Sequence, residues 1–212
     1  MAKTIKCAMF SVVVLTCAAG FSWGADVSMH ALGRKSGLAD TGQTKCYNDS
    51  NVSGTCPNGT FGQDGDYTST ASSPSFTLNG TAPNQTTTDN RTGLMWVSNP
   101  ADALMISSYS WVSSTGAVAA CQNLTFAGYS DWRLPNIKEL MSLVDYGISA
   151  AYPQINAAYF PGTLNAYTFW SSTTYGITAG ERAWTVAFTG GYQGYNYKAS
   201  SIYYVRCVRG GV

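Results

Sequence analysis

The sequence predicts an α+β domain in which two short helices are followed by an antiparallel β-meander, stapled by two disulfides. Three observations carry that expectation. Residues 116–127 and 136–147 place apolar side chains at helical spacing on either side of a rigid corner. From residue 167 onward the period changes to two, with Gly190-Gly191 as a hairpin signal. Four cysteines remain once an export signal is removed, and an even number in an exported chain implies disulfides.

The export signal comes first. Lys3 and Lys6 form a basic start, and residues 8–19 form an apolar run too short to span a bilayer comfortably. Ser22-Trp23-Gly24 puts small residues where cleavage before Ala25 needs them. The expected organisation is a signal peptide over 1–24, a leader and stapled loop over 25–75, and the folded domain over 76–212. The address is then periplasm, cell surface or exterior. No later stretch is long and apolar enough to be a transmembrane segment.

Cys7 and Cys17 leave with the signal peptide. Cys46 and Cys56 bracket a short Gly/Asn/Ser-rich loop, so their pairing closes cheaply. Of the three connectivities that four cysteines allow, this one leaves Cys121 on the first helix with Cys207 on the last strand. A zinc site has little to stand on, with no CxxC pair and a single histidine, His30. Asp64 and Asp66 resemble a fragment of a calcium loop, but the further ligands and distal Glu are missing, so turn chemistry is the better reading. No cofactor is expected, calcium being the one metal left open.

Residues 76–79, 85–88 and 94–97 read as strands, the last two joined by the turn Asp89-Asn90-Arg91-Thr92-Gly93. A loop over 99–114 has room for a short helix. In the first helix, Val118, Cys121 and Leu124 share a face, and Gly128 stands where a C-terminal cap belongs. Pro135 holds Leu134 extended. Asn136 caps the second helix with Glu139 three residues on, a capping box. Ile137, Leu140, Leu143 and Val144 form that helix's apolar stripe. Between the helices, Asp131-Trp132-Arg133 reads as a structural corner, with the tryptophan buried and the two charges paired elsewhere. Residues 148–168 are apolar enough to pack down. The meander follows with strands over 167–175, 181–188, 192–197 and 202–208. On the last, Tyr203, Val205 and Cys207 share one face, and Tyr204, Arg206 and Val208 the other.

A net charge of +1 with only 11% charged residues provides no field for nucleic acid or an anionic membrane.

Six motifs occur in a fixed order. They are Thr41-Gly42-Gln43-Thr44 with Cys46-Tyr47, Gly62-Gln63-Asp64-Gly65-Asp66-Tyr67, Thr88-Asp89-Asn90-Arg91-Thr92-Gly93-Leu94-Met95-Trp96, Gly128-Tyr129-Ser130-Asp131-Trp132-Arg133-Leu134-Pro135, Trp170-Ser171-Ser172, and Tyr204-Val205-Arg206-Cys207-Val208-Arg209-Gly210. Together they resemble the bacterial Lcl C-terminal domain family, over roughly residue 41 to the end. The resemblance implies a C-type-lectin-like fold, related to that of formylglycine-generating enzymes, in which the first helix is commonly disulfide-linked to the last strand. It also implies an adhesin-type role, since the namesake domain caps a collagen-like adhesin and is associated with sulfated glycosaminoglycans. This chain carries no Gly-X-Y repeat, and the basic residues near its end are Arg182, Lys198, Arg206 and Arg209.

The enzymatic relatives use reactive cysteines or a histidine iron site. Here the mature cysteines are assigned to disulfides and the one histidine lies in the leader. No catalytic residue is therefore assigned, and the chain is not expected to be an enzyme. The expected ligand face is the Tyr-rich C-terminal hairpin: Tyr192, Tyr195, Asn196, Tyr197, Lys198, Tyr203, Tyr204 and Arg206. Tyrosine supplies rigid amphipathic area, asparagine and serine adaptable hydrogen bonds. Lys198 and Arg206 would add charge-assisted bonds. The expected partner is a glycan. The alternative is a protein partner, since the same segment resembles, in place and composition, the variable region of diversity-generating retroelement targets. The oligomeric state is not readable.

Overall fold

The structure is a computed structural model that describes residues 41–47, 53–54, 63–67, 74–103, 108–111, 116–148, 153–163, 168–177 and 180–210. The expected signal peptide, most of the leader and Cys56 lie outside these residues.

Cys46–Tyr47 (β1) and Ser53–Gly54 (β2) form a two-residue antiparallel ladder, followed by a 3-10 turn over Asp64–Tyr67. Phe76–Asn79 (β3), Thr86–Asp89 (β4) and Met95–Val97 (β5) make consecutive antiparallel pairs. The β4–β5 turn is built on Asp89, which is fully buried. Its carboxylate accepts from the Arg91 backbone N–H at 2.9 Å and from the Thr92 hydroxyl at 2.8 Å. A short 3-10 helix, Pro100–Ala103, answers the expectation for the following loop.

Helix α1 covers Ala117–Gln122, five residues shorter at its end than the expected 127. The reason lies at Ala127 and Gly128, whose φ values are +53° and +82°. Phe126 and Tyr129 exchange both backbone hydrogen bonds around them, at 2.9 and 3.0 Å. Two central residues with positive φ make a tight reverse turn of the primed kind. Gly128 thus serves that turn and does not cap the helix, which ends at Asn123.

Helix α2, Ile137–Met141, starts as expected. The Glu139 N–H donates to Asn136 Oδ1 at 2.9 Å, and the Asn136 N–H donates to the Glu139 carboxylate at 2.8 Å. The helix closes early, yet Leu143 and Val144 remain buried in the turns that follow. There the chain meets residues 41–43. Tyr146 N–H donates to the Thr41 carbonyl at 2.8 Å, and a Cβ on Gly147 would fall 2.0 Å from the Gly42 carbonyl oxygen. This close approach requires glycine, and it docks the end of the expected leader onto the domain.

Thr168–Tyr175 (β6), Arg182–Ala187 (β7) and Tyr192–Tyr197 (β8) form the meander, with a bulge in β6 between Trp170 and Thr174. The meander stops at three strands. The expected fourth is reduced to Val208–Arg209 (β9), which pairs with β5 and closes the other sheet in the order β3-β4-β5-β9. Tyr203 and Tyr204 make single bridges to Tyr109 and Phe169. The correction has a physical reason. Val205 and Cys207 are buried on one side, Arg206 and Val208 on the other. With Tyr203 bridged to Tyr109, Tyr204 to Phe169 and Val208 to Arg133, the segment runs between packed elements and does not lie beside β8.

Two apolar clusters result, and neighbouring residues feed opposite ones. Trp96, Leu140, Phe160, Phe169, Val186 and Val208 fill one; Val97, Cys121, Trp132, Trp170, Val205 and Cys207 fill the other. The Cys121–Cys207 disulfide joins α1 to the last segment within the second cluster, across 86 residues. Cys46 is also disulfide-bonded, but the expected partner is outside the described residues. Residues 153–163 pack down as expected, burying Ile155 and Phe160. The fold is α+β, with three antiparallel sheets among the described residues. Among the described residues no helix is long and apolar enough to cross a membrane.

Candidate functional site

The register of the meander decides what its tyrosines do. Tyr195 stands opposite Trp184, and Tyr197 opposite Arg182. Strand alternation puts these four on one face with Tyr175 of β6, and puts Tyr192, Asn196 and Lys198 on the other. The expected ligand set is therefore split between two faces.

The first face is an open aromatic cluster. Tyr175 and Tyr195 stack with ring centres 4.0 Å apart and planes 13° apart. Trp184 meets both edge-on, at 5.1 and 5.9 Å. The Arg182 guanidinium lies 4.2 Å from the Tyr197 ring centre and 5.3 Å from that of Tyr195, and it donates to the Tyr197 hydroxyl. Tyr195 and Tyr197 remain 43% and 47% exposed, so their outward surfaces are available. Among the described residues no carboxylate lies within ion-pair distance of Arg182. The Tyr197 hydroxyl raises the Arg182 pKa above its ordinary value. Partial burial, with the Tyr195 hydroxyl as the lesser cause, holds the Tyr175 phenol above its own.

The opposite face is engaged within the protein. Lys198 Nζ lies 4.0 Å from the Trp111 ring centre and donates to Thr174 Oγ1 at 2.8 Å, and burial lowers its pKa. Asn196 donates to Thr185 Oγ1 at 3.2 Å and accepts from the Tyr203 hydroxyl at 3.0 Å. Tyr203 packs edge-on against Trp170, and Tyr204 packs on Phe169. Tyr192 is exposed beside the β7–β8 turn, whose Gly191 carbonyl accepts from the Tyr146 hydroxyl.

Arg206 is fully buried, which removes it from any ligand surface. Its guanidinium donates to the carbonyls of Val97 at 2.8 Å and Ser98 at 2.5 Å and to Thr163 Oγ1 at 2.6 Å. The Phe160 and Phe169 rings flank it at 5.3 and 5.7 Å. Burial pushes its pKa down to about 9, so it stays a cation at neutral pH. Arg206 ties together three chain segments from inside, and its strand position alone did not reveal that.

The residue that takes its expected place beside the tyrosines is Arg182. Nothing local in the sequence marks it. Its signal is the pairing of β7 with β8, which only the hairpin loop length fixes.

The corner between the helices is structural in its contacts. Trp132 is buried, Asp131 holds Arg209 through two hydrogen bonds of 2.7 and 3.0 Å, and Arg133 holds Glu139 through two of 2.8 and 2.7 Å. Among the described residues no cluster of His, Cys, Asp and Glu could hold a metal ion. A search of curated proteins finds no match. The Lcl C-terminal domain profile does match, over residues 85–209, from the first long sheet through to the last strand, and the chain belongs to that family.

Proposed function

We propose that this is an exported bacterial binding module on a C-type-lectin-like scaffold, recognising a glycan through the outer face of its β-meander. One observation carries the reading. Tyr175, Trp184, Tyr195 and Tyr197 form an exposed aromatic surface on paired strands, with Arg182, which has no ion-pair partner among the described residues, in its midst. Sugar C–H faces stack on such rings, and a guanidinium gives a charge-assisted bond to a ring hydroxyl, carboxylate or sulfate. Strand pairing and ring packing fix the side chains before the ligand arrives, which lowers the ordering cost of binding.

The test is an array of neutral and sulfated glycans, probed with the mature, disulfide-intact chain in calcium and in chelator. Saturable binding lost on Tyr195→Ala and Tyr197→Ala supports the reading. Binding to no glycan under any condition overturns it.

A protein ligand is the second reading. The aliphatic residues Ile177 and Ile202, 81% and 63% exposed, follow β6 and β8 at the same end of the meander. Exposed aliphatic side chains suit a protein partner better than a sugar. Binding that survives glycan competition and is lost on Ile177→Ser would favour it.

A further inference from the structure

We infer that the domain carries a second ligand site, for a neutral saccharide, in the groove between the β3–β4 loop and the Ala127-Gly128 turn. The groove encloses about 740 Å³ and lies on the four-stranded sheet, so the inference stands apart from the meander face. This volume is that of a small-molecule cleft.

Three features point to the ligand class. First, among the described residues none that lines the groove is charged. The Arg209 guanidinium behind Tyr129 and Met95 is held by Asp131, so an ionic ligand would find no free counter-charge there, whereas a neutral one loses nothing by that. Second, hydrogen-bonding groups of both kinds are left over. Asn79 spends its amide N–H groups on the Thr77 carbonyl and Thr88 Oγ1, which leaves Oδ1 to accept. The Asn84 side-chain amide and the Thr81 and Tyr129 hydroxyls make no hydrogen bond to another described residue, while the Asn84 backbone N–H donates to the Thr81 carbonyl at 3.0 Å. Amides and hydroxyls that both donate and accept match the paired hydroxyls of a sugar ring.

Third, Tyr129 stands in the groove wall as a fixed and partly exposed aromatic side chain. The Arg209 guanidinium lies 3.7 Å from its ring centre and 3.8 Å from the Met95 sulfur, and Arg209 is not itself among the lining residues. Asp131 neutralises and fixes that guanidinium. The Phe126–Tyr129 turn fixes the backbone. Tyr129 remains 38% exposed, and Met95 lines the groove with it as an apolar surface. An aromatic ring beside a cation, with an apolar neighbour, the free Asn84 amide and the Asn79 Oδ1 around it, suits stacking against a pyranose face.

The experiment titrates the mature chain with neutral di- to tetrasaccharides of hexose and of N-acetylhexosamine, followed by ligand-observed NMR at two salt concentrations. A parallel series uses uncharged tetrapeptides. At least one saccharide is expected to bind independently of salt. Its affinity should fall tenfold or more in Tyr129→Ala and in Asn84→Ala, and stay within twofold of the parent in Tyr197→Ala. Asn84 is exposed and its turn bond to Thr81 is made by the backbone, so its substitution separates lost binding from lost folding. Three outcomes overturn the inference: no saccharide binding at 10 mM, binding abolished by Tyr197→Ala but untouched by the two groove substitutions, or groove-dependent binding of the peptides alone. The first arm fails separately from the meander reading, because that reading is tested by Tyr195→Ala and Tyr197→Ala.

Discussion

The guanidinium of Arg182 rests 4.2 Å from the centre of the Tyr197 ring, its direct cross-strand partner, and donates to the same residue's hydroxyl. The pair puts one cation in the middle of an aromatic surface, with no acid among the described residues to neutralise it. If this surface takes an anionic or hydroxyl-rich glycan, Arg182→Gln should weaken binding about tenfold, a typical loss for one charge-assisted hydrogen bond. It should also remove most of the salt dependence. Equilibrium binding at 50 and 300 mM salt measures both. An unchanged salt slope would mean that the cation does not touch ligand.

Tyr175 gives the same face a pH signature. Partial burial, then the neighbouring Tyr195, raises its folded pKa above the ordinary 10.0. A raised folded pKa means that the native state holds the proton more tightly than the unfolded chain. The stability linked to Tyr175 is therefore complete below pH 10 and is lost as pH climbs through the folded value. Among the tyrosines, Tyr175 should ionise late. Ring-carbon NMR shifts from pH 9 to 12, assigned by Tyr175→Phe, would show it.

Asp131 works in the opposite direction. The hydrogen bonds from Arg209 hold its carboxyl below the ordinary 3.8. A depressed folded pKa makes the unfolded state the better proton binder, so this contribution is present above pH 3.8 and is lost as pH falls through the folded value. Urea midpoints from pH 6 to 2.5 should therefore decline less steeply in Asp131→Asn than in the parent. Parallel curves would show that the bidentate pair carries no net stability.

These contacts differ in how far the sequence announced them. The Asn136–Glu139 capping box was legible, because a cap is local chemistry at fixed spacing. So were Trp132's burial and the Cys121–Cys207 bridge. The Ala127-Gly128 turn was not, since alanine gives no sign of a positive φ and the glycine served equally well as a helix cap. Arg182's role was hidden by the hairpin. A two-residue turn at Gly190-Gly191 would pair Thr189 with Tyr192, but the observed partner is Ala187, behind a four-residue loop. That shift of two keeps every side chain on its face but changes its neighbours, which puts Arg182 opposite Tyr197. Arg206 misled because a charged residue on an alternating strand reads as solvent-facing, whereas free carbonyls at Val97 and Ser98 require a buried donor.

Those carbonyls set the next expectation. Arg206→Met keeps the bulk of the side chain but leaves two buried acceptors and Thr163 without their donor. Each abandoned buried group costs about 1–3 kcal/mol, so with three of them a loss of about 3 kcal/mol or more is expected. Ligand binding by the folded variant should be unchanged, because Arg206 reaches neither surface. Denaturant unfolding beside a binding titration separates the two effects.

Lys198 tests the division of the meander into two faces. Its neighbour Tyr197 points outward with Tyr195, while Lys198 points to the other side and lies against Trp111. The same contact is reinforced along the backbone, since the Trp111 N–H donates to the Lys198 carbonyl at 2.9 Å. Lys198→Met removes the amine from Thr174 and from the indole but keeps an apolar stem over the ring. The local cost should be small, about 0.5–1 kcal/mol, as for a partly exposed cation–π contact. Amide hydrogen exchange should speed up at Tyr109 and Trp111, whose backbone bonds to Tyr203 and Lys198 fasten that loop. Affinity for a ligand held by Tyr195 and Tyr197 should stay within twofold. A large loss of affinity without faster exchange would put Lys198 back among the ligand contacts and merge the two faces into one site.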